Sequence, residues 1–167
     1  KPEVFDANES VRALGDMMGT LTGSRIRIET KLSDEACFLS ADPSQFDTAL
    51  VNMAVNARDA MDGEGRLDIS VEAVGVVPAM RSHPAQVGDF VRIALTDTGS
   101  GIPDDQVDRI FEPFFTTKGV GAGLGLGLGL GLSITANIVR DFGGTIACHD
   151  AAPGAEFCVR LPMASAA

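Results

Sequence analysis

The sequence predicts an α/β (α+β) two-layer sandwich, a mixed and largely antiparallel sheet packed on helices. Three observations predict it. Helix-start chemistry recurs near positions 6, 42 and 133. Short segments near 26, 67, 91, 145 and 156 read as strands, the first three by strict apolar alternation. Residues 75–89 contain Pro78, Pro84 and Gly88 and read as a hairpin loop between two of those strands. A chain of 167 residues can bury a sizeable core as one domain, and no internal boundary is expected across 1–167.

Asp6 followed by Glu9 puts acidic residues in the first turn of a helix that runs to about Met18. Thr22-Gly23-Ser24 breaks it. Ile26 and Ile28 then alternate with Arg25, Arg27 and Glu29 as a half-buried strand, and Ala36–Leu39 reads as a second short strand. At the next helix Asp42 caps, Pro43 takes the first position and Gln45 stands where a capping box needs it. Its expected end is about Met61, before Gly63. Leu67, Ile69 and Val71 alternate, as do Val91, Ile93 and Leu95. Between Pro103 and Leu132 only a turn near 106–111 is expected. A last helix from about Ser133 ends before Gly143-Gly144, and strands at 145–149 and 156–161 close the chain.

The bulk composition excludes several classes of partner. Net charge is −10, from 13 basic against 23 acidic side chains, which disfavours nucleic acid and anionic membranes. One small anion remains compatible, because backbone N–H groups cradle phosphate whatever the global charge. Cys37, Cys148 and Cys158 lack CxxC spacing, so reduced thiols in a cytoplasmic compartment are expected rather than zinc or disulfides. The start, Lys1-Pro2-Glu3, has no signal-peptide pattern and no Met, and predicts an excised piece of a longer protein. The Gly121–Leu132 tract is too short and glycine-rich to span a bilayer.

Three features carry chemistry. On the long helix Gln45, Thr48, Asn52, Asn56 and Asp59 share one stripe. Phe46, Leu50, Met53, Ala57 and Ala60 form the face expected to meet the sheet, with Asp47, Arg58 and Asp62 on the solvent side. An amide oxygen from Asn56 suits a magnesium shell completed by phosphate and water; a plain hydrated face is the alternative. Asp97-Thr98-Gly99-Ser100-Gly101 ends an apolar strand, where a carboxylate can accept from an exocyclic amine and glycine lets a flat ring approach. An ordinary turn is its alternative. The Gly119–Leu132 tract feeds a helix N-terminus, which offers N–H donors to phosphate, although a low-complexity linker would look similar. It is no P-loop, because no Gly-Lys-Ser/Thr follows.

Order and spacing together are more specific than any one feature. Asn52-Met53-Ala54-Val55-Asn56-Ala57 resembles the asparagine box of the histidine-kinase ATPases, and Asp97–Pro103 resembles their first glycine box. Phe111-Glu112-Pro113-Phe114-Phe115 resembles the phenylalanine box, and Gly129-Leu130-Gly131-Leu132-Ser133 the second glycine box. Pro153–Phe157 with Leu161-Pro162 resembles the closing strand. The resemblance spans about Phe5 to Pro162 and implies the Bergerat-type ATP-binding fold. It implies that Asn56 coordinates Mg2+, that Asn52 supports the phosphate side, and that Asp59 belongs to the same polar face. It places Asp97 on the adenine amine, with Gly99, Gly101 and Ile102 lining the ring. Lys118 and the backbone around Gly129, Gly131 and Leu132 would meet the phosphates. Residues 104–130 would be the ATP lid, anchored by Phe114 and Phe115.

The resemblance also sets expectations for the reaction. Gyrase-like members carry a glutamate one helical turn before the magnesium asparagine; here that position is Asn52, so poor hydrolysis and phosphoryl donation are expected. The cofactors implied are ATP and Mg2+. The partners implied are a histidine-bearing dimerisation domain upstream of Lys1 and, downstream, a response regulator; the isolated chain should be a monomer. His83 and His149 resemble no phospho-acceptor. The extra Gly-Leu repeats, and Ala155 where the family often has Thr, depart from the pattern. The repeats are expected to weaken nucleotide affinity or misplace the lid. A non-catalytic interaction module and a gyrase-like ATPase are the competing readings.

Overall fold

The computed structural model describes residues 2–22, 25–61, 64–77, 86–99, 131–151 and 154–164. Among them the order is β1 (Glu3–Asp6), α1 (Ala7–Thr22), β2 (Ile26–Lys31), β3 (Phe38–Ala41), α2 (Pro43–Ala60), β4 (Gly65–Val77) and β5 (Gln86–Asp97). Then follow α3 (Gly131–Asp141), β6 (Thr145–Asp150) and β7 (Ala155–Pro162). A five-stranded sheet runs β2-β4-β5-β7-β6. β2 and β4 are parallel, since α2 carries the chain back between them, while every other pairing is antiparallel. The expected mixed sandwich is therefore present.

One face of the sheet is the core. Ile69, Ile93, Leu95, Val159 and Leu161 turn inward against Val11 and Met18 of α1 and Leu50 and Met53 of α2. The alternation that predicted the strands is the alternation between this face and the outer one. On the outer face Arg92 bridges Glu72 at 3.2 Å and Glu156 at 3.3 Å, tying three neighbouring strands together.

The α2 start follows its sequence signals. Asp42 Oδ1 accepts the backbone N–H of Ser44 at 2.9 Å and its hydroxyl at 2.7 Å, and Pro43 occupies the first turn. The cap works through Ser44, and Gln45 is exposed. That hydroxyl is the largest of several causes that lower the Asp42 pKa to about 2, and the Ser44 backbone N–H is a smaller one.

Several boundaries differ from expectation. β1 was not anticipated: a four-residue strand has too little periodicity to be read, and its partner β3 supplies the pairing, Phe5 opposite Leu39. The strand expected at 36–39 lies at 38–41, and it belongs to this separate two-stranded sheet. The Phe5 ring also meets Phe46 with centroids 5.3 Å apart. Asp6 does mark the α1 start, with Oδ1 accepting the N–H of Asn8 at 3.0 Å and of Cys37 at 3.1 Å. α1 continues to Thr22, and β4 and β5 extend into the expected 75–89 loop, passing a register shift between Val74 and Val76. The turn at 106–111 lies outside the described residues. Among the described residues no helix is long and apolar enough to cross a membrane.

Candidate functional site

The polar stripe of α2 divides along its length. Gln45 and Thr48 are exposed, whereas Asn52, Asn56 and Asp59 are half-buried. The Asn56 side-chain N–H donates to the Asn52 carbonyl at 2.9 Å. That bond ties the amide nitrogen to the helix and leaves the amide oxygen as the end available to a ligand. Phe46, Leu50, Met53 and Ala57 are buried as expected, but Ala60 is only half-buried. Arg58, expected on the solvent side, keeps 27% of its side-chain exposure and reaches Asp59 at 3.5 Å. The ion pair holds it against the helix.

Asp97 is the last residue of β5 and is 2% exposed. Its Oδ1 accepts the N–H of Gly99 at 2.8 Å and of Ala155 at 3.3 Å. Oδ2 has no hydrogen-bond partner among the described residues. Burial raises the carboxyl pKa, and the two N–H bonds oppose that rise. The turn after Asp97 is pinned on two sides. A Cβ on Gly99 would stand 2.4 Å from the Ala60 carbonyl oxygen, so only glycine lets this turn sit on the end of α2. Thr98 Oγ1 accepts the Arg66 N–H at 3.1 Å and donates toward Met61 Sδ at 3.6 Å.

The fold thus brings the end of β5 against the last turn of α2, just beyond Asn56 and Asp59. α3, which begins at Gly131 and Leu132, packs on α2. Gly101, Ile102, Lys118 and Gly129 lie outside the described residues, as do the 104–130 segment with Phe114 and Phe115, and His83. Gly154 and Ala155, where β7 begins, also belong here; Ala155 was noted only as a departure from the family pattern, and Gly154 was not singled out. The Pro153-Gly154-Ala155 run was the available signal.

The donor set fits magnesium bound with a nucleotide better than a cage built from protein alone. Among the described residues no three His, Cys, Asp or Glu side chains gather as a metal site. Asn56 offers one neutral oxygen, and Mg2+ takes few protein ligands when phosphate and water complete its octahedron.

The profile of the histidine kinase-, DNA gyrase B- and HSP90-like ATPases matches residues 41–165. The chain belongs to this ATPase family. Within it, the relatives are sensor histidine kinases. Sensor kinase CckA of Brucella abortus (strain 2308) is 36% identical over 165 residues, covering 97% of this chain and 17% of CckA. Full-length ShkA in complex with AMPPNP superposes with a TM-score of 0.77 at 26% identity, over 100% of this chain and 32% of that one. Histidine kinase ThkA in complex with response regulator TrrA gives a TM-score of 0.71 at 25% identity, over 98% and 42%. The chain therefore corresponds to a fraction of each of these kinases, their ATPase domain.

Proposed function

We propose that the chain binds Mg-ATP and donates the γ-phosphoryl group to a histidine on a separate dimerisation domain, for relay to a response regulator. The observation that carries this reading is Asp97: a buried carboxylate with one oxygen held by two N–H groups and the other without a hydrogen-bond partner among the described residues. Such a group is an acceptor kept for a ligand donor, and the adenine amine is one. Gly99, with Gly101 and Ile102, would line the ring. Asn56 would hold Mg2+ through its amide oxygen, with Asn52 and Asp59 on the phosphate side. Lys118 and the backbone at Gly129, Gly131 and Leu132 would meet the phosphates, closed over by the 104–130 lid on Phe114 and Phe115. Bound magnesium neutralises charge on the transferring group.

Two further facts support this. Full-length ShkA is in complex with AMPPNP and ThkA with response regulator TrrA, and each contains a domain of this fold. Asn52 stands where a water-activating carboxylate would be needed for hydrolysis, and an amide cannot take the proton. Titration calorimetry of ATP with and without Mg2+ tests the reading. Magnesium-strengthened binding with negligible steady hydrolysis is expected; rapid turnover to ADP and phosphate would favour a gyrase-like ATPase instead.

A further inference from the structure

Asp97 does not orient itself. Its geometry is imposed from β7, and the residues that impose it are Gly154 and Ala155. Gly154 adopts φ +86°, the left-handed region. A Cβ there would stand 1.9 Å from the Asp97 carbonyl oxygen and 2.8 Å from Oδ1, so no other residue allows this approach. The next N–H, from Ala155, donates to Oδ1. The turn itself is held from both sides: the Ala151 N–H donates to the Gly154 carbonyl at 3.0 Å, and Thr96 Oγ1 donates to Glu156 at 3.2 Å. Ala155 is 3% exposed, so water does not compete for its N–H.

We propose that the Gly154-Ala155 turn is a specificity-determining element: it decides which atom of residue 97 faces the base, and through that atom selects a 6-amino over a 6-oxo purine. This rests on the nucleotide-site reading above. With Oδ1 engaged by the Gly99 and Ala155 N–H groups, Oδ2 faces the base, and an ionised Oδ2 only accepts. A 6-amino group donates to it; a 6-oxo group brings two lone pairs against a negative charge. The turn touches neither atom of that contact and acts through the carboxylate alone.

The same geometry makes a second, sharper statement about an amide at this position. In the Asp97→Asn variant the two N–H groups still demand an acceptor, so the amide oxygen takes the inner place and the NH2 faces the base. The site then donates where it accepted, and its preference should move from ATP toward GTP.

The test is calorimetric affinity for ATP, GTP and purine riboside triphosphate, which is ATP without its 6-amino group. The parent, Gly154→Ala and Asp97→Asn are compared at fixed Mg2+, with folding checked by circular dichroism. The parent should prefer ATP to the purine analogue by about 10-fold or more, the scale of a hydrogen bond to a charged group. Gly154→Ala should lose about that factor for ATP while its affinity for the analogue changes by less than about 2-fold. Equal losses for both ligands would make the turn a mere wall of the pocket and overturn the inference alone. Should Gly154→Ala not fold, Asp97→Asn decides: a narrowed or inverted ATP-to-GTP ratio supports the fixed orientation, and an unchanged ratio means the amide flips freely and sinks it. A parent that binds none of the three nucleotides removes the site reading and this inference together.

Discussion

At Asp97 folding and the proposed binding role pull in opposite directions. Burial raises its pKa, so the folded chain holds the proton more tightly than the unfolded one. Its contribution to stability is then fullest below the ordinary carboxylate range and is lost as pH rises through the raised folded value. At neutral pH the ionised side chain works against the fold. Asp97→Asn keeps an acceptor for both N–H groups and removes that charge. Its unliganded melting temperature at neutral pH should equal or exceed the parent's, with the gap narrowing as pH is lowered through the carboxylate range. Affinity for ATP should move the other way, falling by about 10- to 150-fold, since a hydrogen bond to a charged group is worth about 1.5–3 kcal/mol. A variant that loses stability and binding together would mean that Asp97 serves the fold. Asn56 makes a different separation. Its nitrogen is tied to the Asn52 carbonyl, so Asn56→Ala removes the oxygen proposed to hold magnesium. Calorimetry should show the magnesium-dependent gain in ATP affinity largely lost and magnesium-free binding little changed; the reverse pattern would put Asn56 on the base instead.

Elements explain which parts of the site could be read in advance. α2 was legible because its chemistry is local: Asp42, Pro43 and the 46-50-53-57 apolar spacing all act within a few residues. The strand end at Asp97 was legible for the same reason, an alternating run meeting glycines. β1 was not, because its existence depends on pairing with β3 across more than thirty residues of chain. Gly154 was not, because its role depends on how near β7 comes to β5, a tertiary distance that spacing does not encode. The Arg58–Asp59 pair left Arg58 half-buried where hydration was expected, while Asp47 of the same face is exposed as expected. Two predictions belong here. Met53 is 1% exposed and packs beneath the asparagine stripe. Met53→Ala should lower unfolding free energy by about 2–5 kcal/mol in urea titration, as buried Met truncations do. The Asp42 cap, held at about 2, stabilises α2 above the ordinary carboxylate value, and that contribution is lost as pH falls toward the folded one. Asp42→Ala should therefore melt below the parent at neutral pH, and the difference should shrink on acidification. A constant difference would assign the loss to packing rather than charge.

At the scale of the whole molecule the proposed reaction turns on where its acceptor histidine lies. The ATPase domain holds candidate groups for base, magnesium and phosphate, and phosphoryl transfer needs an attacking histidine in line with the γ-phosphorus. His149 lies on β6, an edge strand of the sheet, in register with Glu156 and exposed to solvent. Edge exposure alone positions nothing, and among the described residues no hydrogen bond or ion pair ties this imidazole to Asn56 or Asp97. His83 stands before Pro84 in the segment between β4 and β5, outside the described residues. The expected outcome of incubating the chain with γ-labelled ATP and Mg2+ is therefore no phosphate on protein that is stable to base and labile to acid. Adding a histidine-bearing dimerisation domain from a sensor kinase should produce such phosphate on that domain, at a rate first order in this chain and lowered by Asp97→Asn at limiting ATP. Label appearing on the chain alone, and lost in a His149→Gln variant, would overturn the division of labour. It would mean that the exposed edge of β6 itself supplies the acceptor.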